Sequence, residues 1–286
     1  MTSILSWNIQ NGKGNDGEIS LRRMADVIAM QPMPDVICLQ EISRGLILSD
    51  AVGAPDQIDE LSKLFPRYEV IFGVAVDAYC ASTGGRWQFG NLVLTRLPLL
   101  SVLSHPLPRP GAGNKRHMTR QATEVVVAGT GGPLRIVNLH LEFHSELHRL
   151  AQVDRLRDLH QEALEERSQP PSTSPVGPYQ SVPRPVDSVY CGDFNMVVGS
   201  REYRRMLAPL AEETTPFLDA WNIAHPDQPH DPTCGVYDQA QWPEGPHCRD
   251  FFFVSSNCSQ AVRDVRVDGT TDASDHQPLM LELSGR

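Results

Sequence analysis

The sequence predicts an α+β fold: a four-layer sandwich of two mixed, mainly antiparallel β-sheets packed face to face, with helices on both outer sides. Three observations carry this. Strand-like runs outnumber helical ones along the 286 residues. Several neighbouring strands lie close enough in sequence to pair antiparallel, and sheets of this kind bury their apolar faces against another layer. The chain contains neither GxGxxG nor GxxxxGKS/T, so dinucleotide-binding and P-loop folds have little support.

The run SILSWNI (3–9) reads as the first strand. Leu21, Met24, Val27 and Ile28 form an apolar stripe at helical spacing over Glu18–Met30. Asp35–Glu41 is a second strand, entered after Pro32 and Pro34, and Ile58–Phe65 is a short helix stopped by Pro66. Strands follow at Tyr68–Val76, Asn91–Thr95, Leu99–Leu103, Ala122–Val127 and Leu134–Leu141. Ser145–Glu166 is the longest helix, with Leu147, Leu150, Val153, Leu156, Leu159 and Ala163 on its apolar face. The Pro/Ser-rich segment 168–185 cannot continue a helix or a central strand. It is read as a surface loop within one domain spanning 1–286, because strands and helices resume in the same style beyond it. These are Ser188–Cys191, a helix at Arg201–Leu207, and strands Asp250–Val254, Ala261–Val267 and Pro278–Leu283.

Bulk numbers narrow the function classes. The formal charge is 25 − 35 = −10, which argues against binding duplex nucleic acid through broad counterion release but leaves room for a small basic surface. The N-terminus has no signal-peptide pattern, and no run approaches the ~18 apolar residues of a membrane span. The six cysteines show no Cys-x-x-Cys pair. Reduced thiols in a cytoplasmic protein are expected. A monomer is expected too, since the fold completes its core alone.

The informative residues stand where apolar strands run out. In VYCGDFNMV (189–197), Asp193 and Asn195 are two positions apart, so in extended chain both side chains aim at one spot. Asn8, Glu41, Asn138, His140, Asp250, Asp275 and His276 occupy similar places at other strands. Ionised groups are rarely put near a core unless paired or bound to metal. Carboxylates and carboxamides are hard donors that suit Mg²⁺, with Mn²⁺ as substitute, better than zinc. Imidazoles and further acids would then serve proton transfer and orientation, which fits phosphate-ester hydrolysis. The alternative, zinc held by His140, His144 and His148 at i, i+4, i+8, is weakened because His140 lies in a strand pattern and HExxH is absent. A solvated face is the simpler reading of His144 and His148.

In order along the chain, WNI (7–9), LQE (39–41), GNLVLTRLP (90–98), Arg120, NLHL (138–141), GDFN (192–195), RDFFFV (249–254) and SDHQP (274–278) together resemble the endonuclease/exonuclease/phosphatase superfamily, the fold of pancreatic-type deoxyribonuclease. The resemblance covers nearly the whole chain. It implies that Glu41, with Asn8 beside it and Asp275 assisting, binds the metal. It implies that Asp193 orients or deprotonates the attacking water and that Asn195 holds phosphate and nucleophile. By the same resemblance His276 contacts the scissile phosphate or moves a proton, Asp250 fixes the His276 tautomer, and His140 is a phosphate donor or general acid. Arg120 is a further phosphate ligand on this reading, against the plain one of a surface arginine.

The branch of the family is less legible. Abasic-site endonucleases carry tyrosine where this chain has His140. NLHL is similar instead to deoxyribonucleases, sphingomyelinases, deadenylases, inositol-polyphosphate phosphatases and tyrosyl-DNA phosphodiesterases. Three stretches are candidate substrate loops: 73–91 with Tyr79, Arg86, Trp87 and Phe89; the basic 105–121 with Arg109, Lys115, Arg116 and Arg120; and 230–250 with Tyr237 and Trp242. Aromatics beside bases can stack nucleotides, although Trp87 and Trp242 could equally pack loops against the sheets. The leading expectation is a Mg²⁺-dependent phosphodiesterase acting on nucleic-acid ends or single strands. The alternatives are a phosphatase or phosphodiesterase for a small-molecule or lipid-headgroup phosphate, and a catalytically silent binding module.

Overall fold

Strand β1 (Thr2–Asn8) runs parallel to β2 (Val36–Arg44) and antiparallel to β12 (Leu279–Leu283). The sheet is completed by β3 (Glu69–Cys80), β4 (Gly85–Thr95) and β11 (Val262–Val267), in the order β11-β12-β1-β2-β4-β3. The second sheet has the order β5-β6-β7-β8-β10-β9. Its strands are β5 (Leu99–Pro106), β6 (Gln121–Gly129), β7 (Gly132–His140), β8 (Ser188–Asp193), β9 (Phe217–Asp219) and β10 (Asp250–Ser255). Each sheet holds one parallel pair, β1/β2 and β7/β8, among antiparallel neighbours. The computed structural model describes residues 1–47, 55–81, 84–111, 113–174, 176–210 and 217–285.

Both faces of the central strands are covered, which is why they read as nearly unbroken apolar runs. Ile4, Val36 and Cys38 point inward against Val125, Ile136, Val189 and Phe252 of the other sheet. Leu5, Trp7, Ile37 and Leu39 point outward onto α1 (Leu21–Met30) and α2 (Gln57–Leu64). Val137, Leu139 and Tyr190 face α3 (Glu146–Ser168) and α4 (Arg201–Leu207) on the opposite outer side. Each fully buried Leu or Ile contributes about 2 kcal/mol, so these three layers hold the sandwich shut. A polar bolt crosses the inner layer. Gln40 Nε2 donates to Asn138 Oδ1 at 2.7 Å, and Asn138 Nδ2 donates to the carbonyls of Leu39 and Leu92. Asn138, a strand-end polar residue in the sequence, is therefore a buried link between the sheets.

Helix starts follow their caps: Ser20, Ser145 and Ser200 each accept a hydrogen bond from the backbone N–H three residues on. Capping by Ser20 thus makes Leu21 the first residue of α1, three residues after the predicted Glu18. The stretch 73–91 departs from the expected loop, because β3 and β4 pair through Tyr79↔Arg86 and Cys80↔Gly85, with one register shift between Val74 and Val76. The exposed Asp77–Arg86 ion pair lies across this ribbon. The three-residue β9 and the five-residue α5 (Ala220–Ala224) are too short to leave a sequence period. In the Pro/Ser-rich segment most described residues are exposed, and Arg184 ties its end to Glu124, Glu162 and Glu166. Among the described residues no helix is long and apolar enough to cross a membrane. Five cysteines are buried and Cys80 is partly exposed.

Candidate active site

The two parallel pairs end on the same side of the sandwich, and their last residues meet there. Asn8 closes β1, Glu41 sits in β2, His140 closes β7 and Asp193 closes β8. Asn8 Nδ2 donates to Glu41 Oε1 at 3.2 Å and to Asp193 Oδ2 at 3.1 Å, joining the sheets. Asp250 opens β10 directly opposite Asp193. The segment 274–276 before β12 brings Asp275 and His276, held by Trp7 Nε1 donating to the His276 carbonyl and by the Ser274 hydroxyl donating to the Asn8 carbonyl.

Local strain aims these groups. Glu41 has φ 61° beside the register shift between Leu39 and Ile42, and Asn195 has φ 50°. Left-handed backbone is uncommon for non-glycine residues and clusters at functional sites. Gly192 has φ 139°, and a Cβ there would stand 1.9 Å from the Leu139 carbonyl oxygen, so β7 and β8 can close only on glycine. Asp193 Oδ1 accepts from the Asn195 N–H at 2.8 Å, and Asn195 Nδ2 donates to the Leu141 carbonyl.

Asp193 Oδ2 is the hub, with His140 Nε2 at 3.3 Å and His276 Nε2 at 3.8 Å. His276 Nδ1 bonds Asp250 Oδ2 at 2.8 Å, and the same oxygen accepts the Thr233 hydroxyl at 2.6 Å. Burial resists ionisation of Asp193, but His140, His276 and the donors from Asn195 and Asn8 outweigh it and hold its pKa below the ordinary carboxylate range. Burial likewise opposes charge on His276, and Asp250, Asp275 and Asp193 overcome it, so its pKa lies well above an ordinary histidine's. Burial pushes Asp250 up to about 6 despite its imidazole partner. His140 is driven down to about 3 by burial and then by Arg120, so it is neutral at pH 7.

Arg120 is 6% exposed, with Nε and one terminal nitrogen unpaired, and its nearest acid is Glu142 at 3.9 Å. It is no surface arginine. Arg120, Glu41, His140, Asp193, Asn195 and His276 all line one open cavity of about 550 Å³. A larger groove of about 720 Å³ under the Pro/Ser-rich segment has no such convergence of acids and imidazoles.

The donor set fits a hard divalent cation. Glu41 is raised to about 7, by burial first and then by Asp275, and Asp275 is itself raised by burial. Two carboxyl groups in one cavity, one of which raises the pKa of the other, are a place where a cation would relieve the repulsion. Asn8 presents its nitrogen to Glu41 while its Oδ1 accepts from Gln10 N–H, so in this arrangement it braces the carboxylate. Asp193, Asp250 and His276 also have ligand-type atoms within 4.8 Å of one another. There His276 Nδ1 is already committed to Asp250, which makes that cluster a hydrogen-bonded relay.

The histidine triplet does not converge. His140 turns to Asp193, whereas His148 is fully buried in α3 and donates from Nε2 to the Pro110 carbonyl. The expected solvated face holds for His144 and fails for His148, because the turn at α3 folds under residues 108–110. Trp242 is buried against the His276 ring at 5.9 Å, with Arg249 over its face at 4.5 Å. The β3–β4 aromatics Tyr79, Trp87 and Phe89 are not among the cavity's walls. Thr233, Gln241 and Glu142 escaped sequence reading. Gln241 Nε2 donates to Asp275 at 3.0 Å, and no local pattern marks such a contact.

The endonuclease/exonuclease/phosphatase family model matches residues 5–276, so the sequence match spans both sheets and every residue of this cluster. The chain belongs to that family. Its members are phosphoric ester hydrolases and generally use divalent metals. A family protein from Bacteroides vulgatus superposes with a TM-score of 0.68 at 19% identity, covering 100% of this chain and 99% of its own. A mannosyl-6-phosphatase from Bacteroides thetaiotaomicron gives 0.66 at 17% identity, with 99% and 100% covered. A 3′ phosphatase from Neisseria, bound to product DNA hairpin, gives 0.61 at 18% identity, with 99% and 100% covered. At these identities the likeness is one of fold. No curated protein matches the chain.

Proposed function

We propose that the protein is a divalent-metal-dependent phosphodiesterase that hydrolyses its substrate by in-line attack of water. The observation that carries this reading is the single oxygen, Asp193 Oδ2, that faces Asn8, His140 and His276 at once. An ionised carboxylate at that junction accepts a hydrogen bond from a water and fixes its direction of attack. Asn195, tied by both its backbone N–H and its side-chain amide, keeps that carboxylate in place. Arg120, with two unpaired nitrogens, and the imidazolium of His276 offer donors to the phosphoryl oxygens. Neutral His140 donates a hydrogen bond at neutral pH and is not suited to be the general acid. As the new O–P bond forms, Asp193 takes the proton the water loses, and His276, kept cationic by Asp250, gives one to the leaving oxygen as the old P–O bond breaks. Glu41 and Asp275 would be the carboxylates that hold Mg²⁺ or Mn²⁺, with Asn8 bracing Glu41. A cation held there would stabilise negative charge on the phosphoryl group.

Nucleic-acid ends or single strands are the leading substrate class. The cavity is open and has a basic edge, and the Neisseria 3′ phosphatase shows that this fold can hold a DNA hairpin. The net charge of −10 favours a second reading, a small-molecule or lipid-headgroup phosphate. The test is hydrolysis of bis-p-nitrophenyl phosphate, p-nitrophenyl phosphate, single- and double-stranded DNA, RNA and a phosphocholine lipid, with and without Mg²⁺ or Mn²⁺. Metal-dependent cleavage of diesters, with affinity falling steeply as salt rises, supports the first reading. Cleavage of the monoester or lipid alone supports the second. No hydrolysis by folded protein with either metal would overturn both.

A further inference from the structure

One wall of the cavity is a strap of residues between β5 and β6, and it is built far more firmly than a surface loop needs. At its base the Leu107 N–H donates to the Arg120 carbonyl at 2.9 Å. Three buried polar side chains then hold its backbone. Gln152 Nε2 donates to the Pro108 carbonyl at 3.2 Å, His148 Nε2 donates to the Pro110 carbonyl, and Glu142 Oε2 accepts the Met118 N–H at 3.4 Å. Gln152, His148 and Glu142 are each 1% exposed or less. Burying such groups is costly unless they are used, and here the use is to hold the strap. The His117 ring packs on that of His148 at 5.3 Å. Glu142 also accepts the His144 N–H at 2.9 Å and stands nearest Arg120, so one carboxylate aligns the strap, His144 and the buried arginine.

The strap presents Arg116 and His117 to the cavity, both exposed, with His144 beside them. Among the described residues no carboxylate within ion-pair distance of Arg116 is found, although most arginines near α3 and α4 are paired. Glu41 and Asp275 line the same cavity. Besides those acids the cavity therefore offers donors to anions: the buried Arg120 and His276 and, from the strap, the exposed Arg116.

We infer that the strap is a second anion subsite, which selects substrates carrying another phosphate beside the scissile one. The inference rests on the phosphoesterase reading for the position of the scissile phosphate. A neighbouring phosphate can belong to the next nucleotide of a nucleic-acid end or to a small bisphosphate, and both would pair with Arg116.

The experiment measures binding by the full chain bearing Asp193→Asn, to stop hydrolysis, in Mg²⁺. The probes are thymidine 3′,5′-bisphosphate against thymidine 5′-monophosphate, and glycerol bisphosphate against glycerol 3-phosphate. The bisphosphate should bind about tenfold more tightly than its monophosphate. Arg116→Ala should abolish that ratio and Arg116→Lys should keep part of it, with melting curves confirming that each variant is folded. A ratio in the nucleoside pair alone points to nucleic-acid ends, and a ratio in both pairs points to phosphate recognition without the base. A ratio near one, or a ratio unchanged by Arg116→Ala, overturns the subsite. If the ratio appears while wild type hydrolyses no phosphate ester, the subsite stands and the reaction reading falls. If diesters are cleaved and the ratio is absent, the reverse holds.

Discussion

One buried charged network is built on the second sheet and another where the ends of the two sheets meet, and they differ in what they leave unpaired. Under α3, Glu124 receives Arg135 at 3.4 Å, Arg184 at 3.1 Å and His105 at 3.1 Å, while Arg135 also meets His160 and the Leu159 carbonyl. Burial opposes charge on Glu124, yet His105 and the two guanidiniums hold it down at about 2. At the strand ends around Asp193 the balance is reversed. Glu41 and Asp250 are raised, His140 is driven neutral, and Arg120, His140 and Asp250 each keep an unpaired buried polar atom. The first network spends its charges on itself, with Arg135 Nε the buried atom it leaves unpaired. The second keeps them for something that enters the cavity, as functional sites do at some cost in stability.

That contrast can be broken experimentally. The largest effect is expected for His276→Ala, which should lower turnover by about a thousandfold, within the usual range for lost acid–base groups, while the melting temperature hardly moves. A variant that keeps near-normal turnover would mean that the Asp250–His276 pair is structural. Glu124→Ala should do the opposite. It leaves the buried Arg135 without a carboxylate, although Arg184 keeps Glu162 and Glu166, so chemical denaturation should show a loss of about 3 kcal/mol, with kcat retained in the protein that stays folded.

A smaller effect separates the networks by the sign of their pH dependence. Glu124, at about 2, and His160, lowered to about 4 by burial and Arg135, both bind fewer protons folded than unfolded. Their stabilisation is full above about 6.5 and is lost as pH falls towards 2. Glu41 at about 7 and Asp250 at about 6 bind more protons folded, so their contribution is present below about 4 and is lost as pH rises to about 7. In metal-free protein Glu41→Gln should therefore raise stability at pH 8 by about 1 kcal/mol and leave it unchanged at pH 4. Denaturation at the two pH values checks this, and equal shifts at both would contradict it. The smallest effect is expected for His105→Ala, about 0.5 kcal/mol, because Arg135 and Arg184 remain on Glu124.

The contrast also explains what the sequence discloses. Asp193 and Asn195, or Asp275 and His276, are legible because a strand end puts neighbouring residues to common use. The two-sheet architecture is legible because central strands buried on both faces read as apolar runs. Convergence is not legible. Asn8 meets Asp193 across 185 positions, and Trp7 supports His276 across 269. Arg120 reads equally as a surface residue until its burial is known, and His148 looks solvated until the strap covers it. The β3–β4 ribbon reads as a loop because its pairing is cross-strand and half exposed, with no apolar period to announce it.

The most direct test is the rate of Mg²⁺- or Mn²⁺-dependent hydrolysis of bis-p-nitrophenyl phosphate by wild type and by Asp193→Ala, with a melting curve for each. The prediction is a fall of about a thousandfold or more in a variant that melts as wild type does, because the water loses the carboxylate that directs it. Equal rates in the two proteins would contradict the role assigned to Asp193, and with it the proposed mechanism.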